Sequence, residues 1–387
     1  MRVPSLIVLL TGVVLLGPLL IACDSASTTH TAPAEICDNG ACLAYVDWAV
    51  GIDKAIKQQA VGYTYLILDH GLVVAMKTFG LAHTDVDPPA VALSSDYRMN
   101  SASVTKTLTA VAALKLLAAR HVSIDTPIYS YLPKSWILGP KVKTITFRAL
   151  LTHTSGIRSS HDLATSYDDL RTLIAQGINL SDKVYHYQNQ NFALFRILIP
   201  YLNRFDDTGV ADIGAATSQR YLEYMNCVYG RYFHVSCNPQ ASGSLHILSY
   251  PYPAGSSHGI DWGDWTTICS GGGLQLSADE IGIFLIQLNL NVFLPADQLQ
   301  HMYDYLLGWD YLFANTRHGR CITKNGVLYN GPTFLSTLLV YCPTTGLGFV
   351  GLANSRLGSA TTANYGFPGS WDDIVQHAYD AAWKPQS

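Results

Sequence analysis

Apolar and polar positions follow two different periods along this chain, and the switches between them mark its elements. Leu43 to about Gln58 reads as a first helix. Gly62 to Asp69 and Leu72 to Gly80 are β-rich runs on either side of His70-Gly71, the pattern of a hairpin. Asp85 to Ser95, with its paired prolines, is loop. From Ser103 to about Arg120 the chain is apolar on nearly every face (Val104, Leu108, Val111, Leu114, Leu117), so this helix belongs in the middle of a domain. Helix and loop continue to about Ile260. Ser270-Gly271-Gly272-Gly273 then makes a tight loop, and Ser277-Ala278-Asp279-Glu280 caps a helix running to about Leu288. β-rich runs return at Arg320 to Gly326, Phe334 to Cys342 and Gly346 to Ala353, and Trp371 to Trp383 closes as a helix. Strands at both ends with helices between them predict an α+β fold. Its antiparallel sheet is built from the N- and C-terminal segments, flanked by helices, with an all-helical insert.

Composition adds an address. Hydrophobic residues make up 49% of the chain and charged residues 13%, enough to bury a large core. A net charge of −4 with no long basic run gives no reason to expect nucleic acid as a partner. Residues 1–22 read as a secretory signal. Arg2 supplies the positive start, and the apolar run Leu6 to Leu20 is short of the roughly 20 residues a membrane span needs. The run ends in Leu20-Ile21-Ala22-Cys23, which resembles the lipobox of bacterial lipoproteins and implies lipidation of Cys23. An ordinary cleaved signal and an uncleaved anchor are the alternatives. Residues 23–42 read as a flexible spacer. Residues 43–387 read as one domain, with 43–100 and 265–387 its α/β part and 101–264 its mainly helical part. The expected location is an exported, membrane-anchored one, in a bacterial periplasm or on the outer cell surface.

Eight cysteines are present, and a lipidated Cys23 leaves seven in an oxidising compartment, an odd number. Proximity in sequence suggests Cys37–Cys42, Cys227–Cys237 and Cys321–Cys342, with Cys269 an inert buried thiol. No Cys-x-x-Cys, His-x-His or His-Glu-x-x-His spacing occurs, so neither a metal nor another cofactor is expected.

The candidate chemistry starts at Asn100-Ser101-Ala102-Ser103-Val104-Thr105-Lys106. If Ser103 opens the apolar helix, Lys106 shares its face, and Ser103 sits at the positive end of the helix dipole. A Ser–Lys pair on a rigid buried helix suits acyl transfer, although Ser-x-x-Lys also arises by accident with Ser as an N-cap. Two further elements follow in order: Tyr187-Gln188-Asn189 and Lys324-Asn325-Gly326, the chain's only Lys-x-Gly. Tyr201-Leu202-Asn203 and Tyr224-Met225-Asn226 repeat the second pattern. Gly255-Ser256-Ser257-His258-Gly259 matches a nucleophile elbow, but Pro251 and Pro253 precede it where a strand is required, so it reads as a loop, placed at a pocket rim.

The ordered triplet resembles the serine β-lactamase and penicillin-binding-protein superfamily, and its class C branch above all. Leu150-Leu151-Thr152-His153-Thr154-Ser155-Gly156, Ile124-Asp125-Thr126-Pro127, Tyr131-Leu132-Pro133 and Gly272-Gly273-Leu274-Gln275-Leu276-Ser277 match it too, so the likeness runs from about Leu43 to Trp383. The neighbours of Tyr187 select it over the two other Tyr-x-Asn matches. The resemblance implies a β-lactamase/transpeptidase-like fold and a Ser103 nucleophile with Lys106 and Tyr187 as its base, the proton belonging to the pair. It implies that Asn189 orients Lys106 and substrate, and that Lys324 offers positive potential to a substrate carboxylate. Gly326 lets the strand approach the substrate closely, and the N–H groups of Ser103 and Val327 form an oxyanion hole. Asn325 stands where the family carries Thr. His153 reads as structural, and Asp125 as a turn or cap residue.

These readings converge on an exported serine hydrolase acting through a Ser103 acyl-enzyme on an amide, β-lactam or ester, with a small-molecule or peptide substrate. The alternative is a penicillin- or peptidoglycan-binding sensor that acylates and barely turns over. Specificity is expected from loops between Ile157 and Gln176 and between Arg204 and Trp265.

Overall fold

The computed structural model describes residues 35–241, 245–312, 318, 320–358 and 367–386. It opens with strands β1 (Glu35–Asp38) and β2 (Ala41–Ala44) and helix α1 (Tyr45–Ile56). Tyr45, Trp48, Ile52 and Ile56 recur at helical spacing and form the buried face of α1. Strands β3 (Gly62–Asp69) and β4 (Leu72–His83) follow, joined by the predicted hairpin. His70 and Gly71 both take positive φ, the conformation that matches the twist of such a two-residue turn. Short strands β5 (Val91–Ala92) and β6 (Met99–Asn100) lead into α2 (Thr105–Ala119).

The helical part then holds α3 (Phe147–Leu151), α4 (Tyr167–Gln176), α5 (Asn189–Ala193), α6 (Phe195–Leu202) and α7 (Ile213–Tyr229). Strand β7 (Gln275–Leu276) precedes α8 (Ala278–Asn289), which carries the predicted capping box between Ser277 and Glu280. Helix α9 (Ala296–Asp304) and strands β8 (Tyr311–Leu312), β9 (Ile322–Asn330), β10 (Thr333–Cys342) and β11 (Leu347–Ala353) come next. Helix α10 (Trp371–Ala382) and strand β12 (Trp383–Pro385) end the described chain.

The main sheet has seven strands in the order β5-β4-β3-β11-β10-β9-β8, all paired antiparallel. N-terminal and C-terminal strands thus share one sheet, meeting where β3 pairs with β11. Both faces are covered, and the two-residue period of the strands sorts side chains between them. Tyr63, Tyr65, Ile67, Leu338 and Val340 join Trp48 of α1 and Trp371 and Tyr379 of α10 in one core. Leu66, Leu68, Leu335, Leu339 and Val350 join α2, α8 and the helical part in the other. Burial of α2 on almost every side is what its uniform apolar sequence required, at about 1.5–3 kcal/mol for each large side chain.

Three expectations change. Residues 35–42 are not spacer: β1 and β2 pair with each other, β2 pairs with β12, and Cys37–Cys42 closes the first turn. The expected signal, Cys23 and the rest of the spacer lie outside the described residues. Cys321–Cys342 forms as expected, but Cys237 joins Cys269 and leaves Cys227 an exposed thiol on α7. The pairing follows a tertiary contact across 32 residues that sequence proximity does not reveal. Finally, Ser103 does not open α2. It lies in a separate turn of 3-10 helix, Ala102–Val104, just before it.

Candidate active site

The turn bearing Ser103 is anchored from several sides. Asn100 Oδ1 accepts from the Ala102 N–H at 2.9 Å, and Ser101 N–H donates to the Leu274 carbonyl at 2.8 Å. Thr337 Oγ1 of β10 donates to the Ser101 carbonyl at 2.9 Å. These contacts hold Ala102 at φ +45°, a left-handed conformation unfavourable for a residue with a Cβ. The neighbours of Ser103 are buried, while Ser103 itself is partly open to a cavity of about 660 Å³.

Where Ser103 meets that cavity, the buried Lys106 Nζ lies 2.9 Å from Ser103 Oγ and the Tyr187 hydroxyl lies 2.8 Å from the same oxygen. Lys106 Nζ also donates to Asn189 Oδ1 at 2.8 Å and to the Gly271 carbonyl. Both are acceptors, so a neutral amine aims its two N–H bonds at them and its lone pair at Ser103 Oγ. Lys106 is fully buried, and that burial, with the nearby charge of Lys324, holds its pKa well below the ordinary lysine value.

Tyr187 is set by His153, whose ring packs against it at 4.5 Å between centroids, tilted by 31°. Nδ1 of His153 accepts from the Gln188 main-chain N–H at 3.2 Å and lies 3.2 Å from Asn191 Nδ2. The imidazole is buried; this and the charges of Lys324 and Lys106 press its pKa well below the usual range and keep it neutral. The proton of that neutral ring then sits on Nε2.

Strand β9 forms the other wall. Its two-residue period turns Lys324 and Gly326 to one face and Asn325 and Val327 to the other. A Cβ on Gly326 would meet Thr337 Oγ1 at 2.4 Å, Ser103 N at 2.8 Å and Ala102 Cβ at 2.9 Å, so only glycine admits the Ser103 turn this close. Asp310 N–H donates to the Thr323 carbonyl, which shows that odd residues of β9 turn their main-chain groups away from β10. By the same alternation the Val327 N–H faces the open edge of the strand, and Val327 lines the cavity.

Lys324 differs from expectation. It does not line the cavity; its ammonium is fully buried, paired with Asp310, and 4.9 Å above the Tyr187 ring. Its charge is paired with Asp310 within the protein. Burial lowers its pKa, and Asp310 acts against that shift. Asn325, which lines the cavity, donates through Nδ2 to Asp372 Oδ1 at 3.1 Å, so one of its amide N–H groups is already engaged. Asp372, buried at the start of α10, has its pKa pushed up to about 6 by that burial.

The structure thus brings Ser103, Lys106, Tyr187, Asn189, Gly326 and Val327 together around one cavity, which Asn325 also lines, with Lys324 directly behind its wall. Asp310, Asp162, Asp372 and Trp265 were not singled out from the sequence. No spacing marks them, although Asp162 and Trp265 fall in the two loops expected to set specificity. The hydroxyl of Tyr201 is bound to Asp207 at 2.6 Å, and Tyr224 lines a separate cavity. The Gly255–Gly259 segment is a loop, as read, but it packs on Asp87 rather than at the cavity rim. Asp125 is paired with Arg148.

Residues 44–207 match the Beta-lactamase family model. Esterase EstB of Burkholderia gladioli is 30% identical over 135 residues, 34% of this chain and 33% of that protein. The chain spans between 33% and 38% of the length of the curated relatives it matches. The octameric penicillin-binding protein homologue from Pyrococcus abyssi superposes with a TM-score of 0.65 at 16% identity, over 89% of this chain and 78% of that one. FmtA from Staphylococcus aureus does so at 0.64 and 14%, over 91% and 92%. At such identities these two structures establish the fold.

Proposed function

We propose that the chain is a serine hydrolase of the serine β-lactamase and penicillin-binding-protein superfamily, working through an acyl-enzyme on Ser103; the family-model match over residues 44–207 and the shared fold support this reading. The observation that carries the reading is the convergence of an amine and a phenol on one hydroxyl oxygen, 2.9 and 2.8 Å away, at the mouth of a cavity. The neutral Lys106 amine, with Tyr187 beside it, takes the Ser103 proton as Oγ attacks the carbonyl carbon of an ester, amide or lactam. The oxyanion that forms is met by the N–H groups of Ser103 and Val327, donors worth roughly 3–4 kcal/mol of barrier in such sites. Collapse of that intermediate passes a proton from the Lys106–Tyr187 pair to the leaving oxygen or nitrogen. Water then repeats the sequence on the acyl-enzyme and frees Ser103. Asn189 and the Gly271 carbonyl keep the amine aimed throughout.

The reading includes export and a lipid anchor at Cys23. The three disulfides among the described residues support an oxidising compartment. Two measurements test the whole. A serine-directed fluorophosphonate should label wild-type protein and not Ser103→Ala; equal labelling removes the nucleophile assignment. Palmitate incorporation in a bacterial host should vanish in Cys23→Ser; its persistence removes the anchor.

A further inference from the structure

The charges around the cavity are lopsided. Among its described lining residues there is no lysine or arginine, and two are aspartates, Asp162 and Asp310. Asp310 is neutralised by Lys324 from behind the wall. Asp162 takes part in no ion pair among the described residues and is exposed. Its charge reaches the reacting groups, since it favours the protonated form of Lys106.

Asp162 is also held in place. Gln190, fully buried, donates through Nε2 to the carbonyls of His161 at 2.8 Å and Ala164 at 3.2 Å. Arg196, buried two turns further along the same helical stretch, donates to the Thr165 carbonyl at 2.8 Å. The segment 161–165 is thereby tied, carbonyl by carbonyl, to buried side chains that begin directly after Asn189. A carboxylate on a backbone fixed this way is presented to a ligand without the ordering cost of a mobile loop. Tyr185, Trp265 and Tyr329 line the same space, and aromatic faces attract cations.

We propose that this cavity selects acyl substrates bearing a cationic nitrogen and disfavours those bearing a carboxylate. The inference rests on the serine hydrolase reading and names the substrate class for that site. A substrate ammonium gains the Asp162 carboxylate and the aromatic walls. A substrate carboxylate finds no free cation among the described lining groups and meets Asp162 as a like charge.

The test uses p-nitrophenyl esters whose acyl chains, equal in length, end in trimethylammonium, methyl or carboxylate. At low salt kcat/KM should fall in that order, by about three- to tenfold at each step, and added salt should compress the differences. In Asp162→Asn, an exposed and nearly isosteric change, the ammonium-to-carboxylate ratio should drop by about three- to tenfold. Fastest turnover of the carboxylate ester overturns the inference, as does an unchanged ratio in Asp162→Asn. Turnover of the methyl ester that survives Ser103→Ala overturns instead the nucleophile assignment beneath it, and turnover of none of the three overturns both.

Discussion

Gly326 leaves room for the Ser103 main chain that no other residue would leave. A single added carbon on Gly326 would stand 2.8 Å from Ser103 N and 2.4 Å from Thr337 Oγ1. Gly326→Ala must therefore push β9 away from the turn that carries the nucleophile. Overpacking of this kind costs about 1–3 kcal/mol of stability. The displaced edge also carries the Val327 N–H, so kcat should fall by about 100-fold or more while KM changes less. Steady-state kinetics with a chromogenic ester check this, and a variant within threefold of wild type would rule out the close approach.

The Lys324–Asp310 pair is expected to tune Lys106. Lys324→Met removes a positive charge that depresses the Lys106 pKa, so the acid limb of kcat/KM should move to higher pH. The same change strands Asp310 in the interior and should cost about 3–5 kcal/mol in denaturant unfolding. Asp310→Asn added to Lys324→Met should recover most of that stability. It should keep the acid limb above its wild-type position, because Lys324 exerts the larger of the two effects on Lys106.

His153 is expected to act through Tyr187 rather than on substrate. His153→Phe keeps a ring against Tyr187 but leaves the Gln188 N–H without its acceptor, at about 1–3 kcal/mol. Because the folded imidazole resists protonation, the unfolded chain takes up a proton that the native state does not. Stability from this group is present above about pH 6.5 and is lost as pH falls below it. Thermal melts at pH 7.5 and 5.5 should show a smaller drop for His153→Phe than for wild type.

Asp372 should have the opposite sign. Its pKa, raised from 3.8 to about 6, makes the native state favour the protonated acid. Stability from this group is therefore full below about pH 4 and is lost as pH rises through 6. The loss, at about 1.4 kcal/mol per pKa unit, amounts to roughly 3 kcal/mol. Asp372→Asn keeps an oxygen for Asn325 and removes the ionisation. Its melting temperature should exceed that of wild type near pH 7 and converge with it toward pH 4.

How far the sequence reached depends on how local each cause was. The hairpin at His70-Gly71 and the Ser277–Glu280 capping box are decided within a few residues, and both stand where pattern alone placed them. The Ser103–Lys106 spacing brought the two side chains together through one helical turn, even though α2 starts two residues later than read. The disulfide of Cys237 went astray because its partner arrives through tertiary packing, not through proximity along the chain.

What the sequence by itself determined was the α+β order of elements and the identity of the groups that meet at Ser103. These follow from periodicity, capping and short motifs, whose physics lies within a few residues. Only the tertiary structure decided that Lys324 answers Asp310 instead of facing the cavity, that Asn325 is bound to Asp372, and that Asp162 stands on its rim. The charge a pocket offers is a sum over residues distant in sequence, and a carboxylate buried beside a lysine offsets part of what the motif alone promises.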